Sequence, residues 1–418
     1  MPDPAAGGPA GWQRARVAVT AVFVVHGLLF ASWTAHIPDV KAHLGLTDGT
    51  LGFALLGAPA GSVIATIAGS WLLPRLGSRR IVRVALVGYC AAGPLVGLTG
   101  SLAALFAALF AWGAFQGTLD VAMNTQAIAV ERTGRRALMS GLHGSWSIGS
   151  FAGAGIGALA VAAGVTLSVQ LLVLGTLALL VTGLLTARML PASAERPGER
   201  PERPGEPPEQ PGRRSGNRAS RWSGGMILLC AIAFAAMLCE GAIADWGAVY
   251  LSGPLRTTGV VPGLGYTAFS LAMVIVRLSG NRLLTRFRPD RLLPALAAVA
   301  TAGFGAALLA GQPPAALLGF GCLGLGLGSV VPAVFSAAGR IPGLPAGTTV
   351  ATAAACGWAG IVTGPPLIGR LASWTSLPVA LGLLPLLTAF VVAGTLSSRA
   401  LRAREPQPRA HAQEAVPT

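Results

Sequence analysis

The feature that most constrains this chain is a series of apolar stretches, each long enough to form a membrane-crossing helix of about 20 residues. We distinguish twelve of them; the third and ninth are short, and the eighth contains Arg277. Only 11% of the 418 residues are charged, whereas a soluble domain carries roughly a quarter charged residues on average. The sequence therefore predicts an all-α integral membrane protein with twelve transmembrane helices, embedded in a lipid bilayer.

The positions of the basic residues predict how these helices are oriented. If the N-terminus is cytoplasmic, all but four of the 30 basic residues fall in cytoplasmic segments, the exceptions being Lys41, Arg256, Arg277 and Arg370. Short cytoplasmic loops carry an excess of arginine and lysine, so topology explains the net charge of +15 and no nucleic-acid partner is expected. We expect a multi-pass protein of the bacterial cytoplasmic membrane, with both termini cytoplasmic and an uncleaved first helix.

One long polar segment interrupts the series of spans. Residues 188–223 interleave prolines with glutamates and arginines, a composition typical of a disordered linker. The linker separates an N-terminal six-helix half at residues 1–187 from a C-terminal six-helix half at residues 224–398. A cytoplasmic tail is predicted at residues 399–418.

The two halves match each other when the sequence is shifted by 211 residues. Glycines and arginines then coincide in the loop after each second span and in each fourth and fifth span. The coinciding pairs are Gly69 and Gly280, Arg75 and Arg286, Arg80 and Arg291, Gly113 and Gly324, Gly117 and Gly328, Gly149 and Gly360, and Gly153 and Gly364. Because six spans return the chain to the same side of the membrane, we predict parallel repeats about an axis along the membrane normal.

The loop after the second span carries a motif. The segment from Gly69 to Arg80, together with its copy from Gly280 to Arg291, resembles the signature loop of the major facilitator superfamily. The resemblance implies the twelve-helix fold of that family and transport by alternating access. It assigns gating contacts to Arg75, Arg79, Arg80 and Arg286. The acidic residue that the family places before the first arginine is Pro74 here, and Thr285 in the copy.

Three acidic residues lie inside predicted spans: Asp120, Glu240 and Asp245. A carboxylate near the bilayer centre costs about 2.5–3.5 kcal/mol, so each is expected to face a cavity or a partner. Gln116, Asp120 and Asn124 are spaced four apart and share one helix face, which the resemblance directs towards the central cavity. We predict proton coupling by Asp120 and Glu240, and substrate binding by Gln116 and Asn124. The alternatives are a hydrogen-bond cluster between helices for Asp120 and a neutral carboxyl bonded to a backbone carbonyl for Glu240.

Three basic side chains within spans are candidates for a role in transport. His26 and His143 can titrate near neutral pH and are candidates for proton coupling, with plain packing as the alternative. Arg277 lies about one turn inside the eighth span, where its side chain either snorkels to the interface or makes an ion pair or gating contact, for example with Asn281.

Four tryptophans are candidates for stacking on a substrate: Trp33, Trp146, Trp246 and Trp358. Tryptophans near helix ends also form interfacial belts, which is the alternative for Trp33 and Trp246. Two of the four end short segments, His143 to Trp146 and Glu240 to Trp246. These segments and Asp120 to Asn124 resemble the fucose-permease-like branch of the superfamily.

The sequence contains no motif of a catalytic or cofactor site. Phosphate-binding loops, HExxH and GxSxG are missing, and the five cysteines form no CxxC, so we expect neither an enzyme nor a bound cofactor or metal. The predicted function is proton-coupled symport of a small, polar, sugar-like substrate by a monomer. Proton-antiport efflux of drugs or metabolites is one alternative, and a non-transporting membrane sensor or assembly partner is another.

Overall fold

A computed structural model describes residues 9–136, 138–195, 223–286, 289–341 and 344–402. The helices of the N-terminal half are α1 (Pro9–Trp33), α2 (Ile37–His43), α3 (Asp48–Leu55), α4 (Gly57–Leu76), α5 (Ser78–Val96), α6 (Leu102–Gly134), α7 (Met139–Ala162) and α8 (Leu167–Thr186). Those that follow are α9 (Gly224–Ser252), α10 (Val261–Arg286), α11 (Pro289–Ala310), α12 (Pro313–Leu327), α13 (Val330–Ala338), α14 (Ala346–Trp374), α15 (Leu377–Leu381), α16 (Leu383–Ser397) and α17 (Arg399–Arg402). Single 3-10 turns occupy Thr34–His36 and Ala192–Ala194.

These helices build twelve membrane spans. Within the described part of the chain, eleven helical segments are long and apolar enough to cross a membrane. The remaining span is α5, whose first turns carry three arginines, and it packs against α6 and α8 as the third helix of its half. The second span consists of α3 and α4, the tenth of α12 and α13, and the twelfth of α15 and α16. The predicted all-α fold is therefore confirmed.

Prolines explain two of the breaks within spans. Proline has no backbone N–H and cannot donate to the carbonyl four residues earlier. Pro59 follows the break between α3 and α4, and Pro332 follows the break between α12 and α13. The carbonyl that Pro332 leaves without its helical donor belongs to Gly328. This carbonyl accepts a hydrogen bond from Arg277 Nε at 3.5 Å, so the break creates a polar contact inside the membrane.

Glycines bring neighbouring helices into backbone contact at equivalent places in the two halves. A methyl group at Gly113 of α6 would collide with the carbonyl of Ala58 in α4, and one at Gly324 of α12 would collide with the carbonyl of Phe269 in α10. Both members of the second pair lie 211 residues after those of the first. The fifth and eleventh spans repeat the arrangement: Gly149, Gly153 and Gly157 of α7 lie against α1, and Gly360 of α14 lies against α9. Small residues at such crossings permit the close packing that stabilises helix pairs in lipid.

The two halves meet tightly at their outer ends. On the predicted topology, α3 and the C-terminal part of α14 lie at the extracellular end, and Gly52 packs against Pro365 and Gly369. On the other side of the interface, Gly263 of α10 packs against Ala158 of α7. The contact between α7 and α10 continues to the cytoplasmic end, where Leu278 lies beside Gly144. On that predicted topology, the contacts of α3 with α14 and of α7 with α10 close the structure towards the outside.

The start of the predicted linker packs against the N-terminal half. Glu195 accepts hydrogen bonds from the backbone N–H of Ser78 at 3.1 Å, from Ser78 Oγ at 2.7 Å and from Gln126 Nε2 at 3.3 Å. Gln126 also pairs with the backbone N–H and carbonyl of Leu190. Residues 188–195 thus belong to the folded half, which differs from the predicted boundary at 187. Residues 196–222 of the predicted linker and residues 403–418 of the predicted tail lie outside the described part of the chain.

We expect Glu195→Gln to lower the free energy of unfolding by about 1–2 kcal/mol, because a carboxylate accepts from an N–H more strongly than an amide does. The measurement is the thermal unfolding midpoint of the purified protein in detergent. Asp39→Asn serves as the control, since the side chain of Asp39 is 62% exposed and approaches His36 Nδ1 at 3.6 Å without the short hydrogen bonds that Glu195 makes. Equal midpoints for Glu195→Gln and the wild type would contradict a stabilising contact.

Candidate transport site between the two halves

A narrow cleft lies between the halves, on the cytoplasmic side of the outer closure. It is partly open to solvent and is bordered by α7 of the N-terminal half and by α9 and α10 of the C-terminal half. Its lining residues are Trp146, Ser147, Ser150, Glu240, Tyr266, Phe269, Ser270 and Met273. Two predicted site residues, Trp146 and Glu240, are among them. A cleft lined by hydroxyls, aromatic rings and one carboxyl suits a small, partly polar ligand.

Arg277 connects the two halves beside this cleft. Its Nη1 donates to Ser147 Oγ of the N-terminal half at 2.7 Å, and its Nη2 lies 3.6 Å from Glu240 Oε1 of the C-terminal half. With the bond to Gly328, the guanidinium has three polar neighbours, and its side chain is only 18% exposed. The snorkelling alternative is therefore incorrect in this structure. The predicted contact with Asn281 lies outside the described side chains.

His26 is held by the cleft residue Trp146. The indole Nε1 of Trp146 donates to His26 Nδ1 at 2.8 Å. Because an indole N–H is only a donor, Nδ1 must be the unprotonated nitrogen of the imidazole, and the neutral tautomer carries its hydrogen on Nε2. Within the described part of the chain, this buried Nε2 has no hydrogen-bond partner within 3.5 Å, although the imidazole interacts with the backbone of Gln116. His26 also stacks on Tyr89, with ring centroids 5.8 Å apart.

We expect Trp146→Phe to destabilise the protein by about 1–3 kcal/mol, because it leaves the buried Nδ1 of His26 without its donor. The comparison is made by thermal unfolding against Trp71→Phe, since Trp71 is 69% exposed on the outer surface of α4. Equal unfolding temperatures for the two variants would contradict a stabilising hydrogen bond from Trp146 to His26.

The polar face of the fourth span does not line this cleft. Asn124 Nδ2 donates to the backbone carbonyl of Asp120 at 2.9 Å and to its Oδ1 at 3.3 Å. Gln116, Asp120 and Asn124 are half-buried on α6, as their spacing predicts, but they are absent from the lining described above. Their roles in proton coupling and substrate binding remain predictions.

The other predicted aromatic and titratable residues are spread over the bundle. Trp33 is 4% exposed and meets Trp112 edge to face, and Trp246 is fully buried beside Gly369 at the outer closure. In this conformation neither indole is available for stacking on a substrate. Trp358 is half-buried in α14, and His143 meets Phe23 edge to face with ring centroids 5.5 Å apart. A proton role for His143 remains a prediction.

The predicted gating arginines of the signature loop lie at the end of the N-terminal half that the predicted topology places in the cytoplasm. Arg75 and Arg80 are exposed, and Arg79 is half-buried at the start of α5. The side chain of Arg286 lies outside the described residues. Beside the loop, Glu195 supplies a carboxylate at the first turn of α5, although the position before the first arginine is Pro74. Gating by these arginines remains a prediction.

Several site residues were not predicted from the sequence. Ser147, Ser150, Tyr266 and Ser270 line the cleft, but each is a single hydroxyl-bearing residue in an apolar span and stands in no recognised motif. One usable signal was present: Tyr266 and Ser270 are four residues apart and therefore share one face of α10. Combined with Arg277 further along the same helix, this face is unusually polar for a membrane span.

Comparison with known families decides the class of protein. The sequence profile described as the Major Facilitator Superfamily matches residues 18–354, which is most of the chain. The chain belongs to the major facilitator superfamily. It is a multi-pass membrane transporter of that family. The narrower resemblance to the fucose-permease-like branch remains a prediction.

Three relatives with similar sequences align with nearly the whole of this chain. An uncharacterised MFS-type transporter of Yersinia pestis is 33% identical over 382 residues, covering 90% of this chain and 94% of the relative. Membrane protein MosC of Rhizobium meliloti is 30% identical over 397 residues, covering 94% and 93% of the two chains. An uncharacterised transporter of Sinorhizobium fredii is 30% identical over 375 residues, covering 89% and 95%.

Solved structures of other superfamily transporters share the fold. The nucleoside transporter NupG superposes with a TM-score of 0.65 at 12% identity, covering 93% of this chain and 98% of NupG. A bacterial homologue of the human lysosomal transporter Spinster, in an inward-facing and unoccupied conformation, superposes with a TM-score of 0.61 at 14% identity. That comparison covers 94% of this chain and 98% of the homologue. At these identities the likeness concerns the fold alone.

Proposed function

We propose that this transporter carries a small, polar, sugar-like solute together with protons, by symport, through the cleft between its halves. The observation that supports the proposal most strongly is the position of Arg277 between Glu240 and Ser147. One guanidinium contacts a carboxyl that can take up a proton and a hydroxyl on the opposite half. A change in the charge of Glu240 can therefore alter a contact that holds the halves together.

The ion pair links the protonation state of Glu240 to the position of Arg277. A carboxylate inside the membrane needs a partner or a proton. While Arg277 is close, the guanidinium favours the charged form of Glu240; when Arg277 moves away, protonation becomes the favoured way to remove that charge. Proton uptake at Glu240 and release of Arg277 are thus linked, and substrate groups can then accept hydrogen bonds from the freed guanidinium.

The remaining lining suits a ring-shaped solute that carries hydroxyl groups. Trp146 and Tyr266 provide flat aromatic surfaces, and Ser147, Ser150 and Ser270 provide groups that both donate and accept hydrogen bonds. A sugar has the same combination, with C–H faces that pack on rings and hydroxyls that pair with polar side chains. This pairing supports a sugar-like substrate over a large apolar one.

The closed outer end supports a cycle in which the solute passes between two arrangements of the halves. Opening to the outside requires α3 to separate from α14 at Gly52 and Gly369. A change from this state to an outward-open one also requires rearrangement of α7 against α10, where Ser147 and Arg277 meet. We propose that solute and proton together favour this exchange, whereas the solute alone does not.

The test is proton flux into proteoliposomes that contain a pH-sensitive dye, challenged with pooled sugars and polyols and separately with pooled hydrophobic cations. For a symporter, we expect acidification of the lumen that depends on a sugar or polyol added outside. Glu240→Gln should abolish it, because glutamine cannot carry the proton. Asp39→Asn, which changes an exposed carboxyl far from the cleft, should retain it.

The pools also separate the alternatives. Proton movement opposite to the movement of a hydrophobic cation would contradict symport and indicate efflux by antiport. Solute binding without flux, by protein shown to be folded and inserted, would contradict transport and indicate a sensor. Sugar-dependent acidification that survives Glu240→Gln would overturn the assignment of Glu240 while leaving symport intact.

A further inference from the structure

The side chain of Trp12 is held in a fixed position at the predicted cytoplasmic end of the N-terminal half. Its indole Nε1 donates to the carbonyl of Val130 in α6 at 2.8 Å. The ring lies directly over Gly134, where even a methyl group would collide with it. The first turn of α1 is therefore fixed to the last turns of α6, with an indole at the level where tryptophans meet the membrane interface.

Two guanidinium groups flank this indole. Arg16 and Arg136 each place Cζ 5.8 Å from the centroid of the Trp12 ring. Arg16 lies one turn after Trp12 on α1, and Arg136 follows the end of α6. Both arginines are exposed. Two like charges gathered on one ring repel each other unless an anion lies between or beside them.

The carboxylate at this end of α6, that of Glu131, is engaged with the backbone of α7. Glu131 Oε2 accepts from the backbone N–H groups of Leu138 and Met139, at 2.6 and 3.0 Å, and so caps the first turn of α7. Within the described part of the chain, neither Arg16 nor Arg136 has an ion pair. Next to Arg16 in the sequence, the apolar side chain of Val17 is 56% exposed. A charged site thus adjoins an exposed apolar side chain at the start of the first span.

We propose that Trp12, Arg16 and Arg136 form a binding site for the phosphate of an anionic phospholipid of the cytoplasmic leaflet. The two guanidinium groups pair with the phosphodiester oxygens, the indole supports both of them by cation–π contact, and an acyl chain packs along Val17. An anionic lipid fits better than a soluble anion because the site combines positive charge with exposed apolar surface at the membrane boundary. The bound lipid links the start of α1 to the segment that leads into α7.

The test measures binding of phosphatidylglycerol to the full-length protein in nanodiscs of phosphatidylcholine, with increasing fractions of phosphatidylglycerol, by native mass spectrometry of the released protein. An arginine near an anionic surface contributes about a fivefold change in affinity. We expect Arg16→Gln and Arg136→Gln each to weaken phosphatidylglycerol binding by at least about that factor. All of these substitutions are on exposed side chains, so folding should be retained.

Arg14→Gln is the matched control, because Arg14 is exposed on the same helix and, in the described part of the chain, makes no cation–π contact with Trp12. Equal weakening by all three substitutions would overturn the site in favour of general surface attraction. Inorganic phosphate is added in a second arm. Displacement of phosphatidylglycerol by inorganic phosphate at similar concentrations would overturn the lipid assignment and indicate a site for a soluble anion.

Discussion

Arg277→Gln is expected to reduce proton-coupled transport roughly 100-fold. Removing one partner of a buried ion pair costs about 3–5 kcal/mol, and the partial exposure of Arg277 and Glu240, at 18% and 22%, places this pair at the lower end. Because this pair joins the two halves through Ser147, we expect a similar shift in the balance between the two arrangements of the halves, and about 3 kcal/mol corresponds to roughly two orders of magnitude in such a balance. Without the guanidinium, Glu240 is left protonated throughout the cycle, and Ser147 loses its donor. Proton flux in proteoliposomes measures the effect.

The double substitution of Arg277→Gln and Glu240→Gln tests whether the two side chains interact as an ion pair or act independently. Because it removes both charges, it should recover the expression level and thermal stability that Arg277→Gln loses, although proton coupling stays absent. Losses that simply add in the double variant would show that the two side chains do not interact. Arg256→Gln, which removes an exposed arginine near the start of α10, controls for the change in net charge.

Gly153→Ala is expected to destabilise the protein by about 3 kcal/mol although it adds only one methyl group. At this position the methyl would enter the backbone of Leu28 in α1, and a backbone carbonyl cannot rotate away as a flexible side chain does. Overpacking of this kind costs about 1–3 kcal/mol. Because α1 and α7 are in backbone contact here, we expect a destabilisation near the upper end of that range. The yield of folded protein and its unfolding midpoint measure the effect.

Gly155→Ala is the matched control on the same helix. A methyl group at Gly155 meets nothing within 4 Å, and alanine favours a helix over glycine by up to about 1 kcal/mol. We therefore expect wild-type stability or slightly more. If Gly153→Ala unfolded at the same temperature as Gly155→Ala, the close approach of α1 and α7 would be contradicted.

The fold could be predicted from the sequence because its physical causes are local and periodic. The apolar stretches set the number of spans, and arginine placement sets the expected orientation. The match between Gly113 and Gly324 anticipated equivalent helix crossings in both halves, which the structure contains. The packing of Glu195 was not predicted, because the proline-rich composition after residue 195 masks a short ordered segment before it. The position of Glu195 depends on its hydrogen bonds with Ser78 and Gln126, which are distant in sequence.

The site was only partly predictable, since it depends on how the two halves face each other. Hydropathy singled out Glu240 and Arg277 as costly charges, but only the packing of α9, α10 and α7 brings them together with Ser147. Trp246 shows the opposite case. It stands in a polar segment of the seventh span, which suggested contact with a substrate, whereas the packing of α14 and α3 buries it completely at the outer closure.

The measurement that tests the central claim most directly is solute accumulation driven by an imposed pH gradient, once the proton-flux pools have identified a transported solute. Accumulation is compared between the wild type and Glu240→Gln. For both proteins, the exchange of labelled for unlabelled solute is also measured with equal pH on the two sides of the membrane. The account predicts that the wild type accumulates solute against its gradient, and that Glu240→Gln loses accumulation while it retains exchange. Accumulation by Glu240→Gln at the wild-type level would contradict the assignment of this carboxyl as the coupling site.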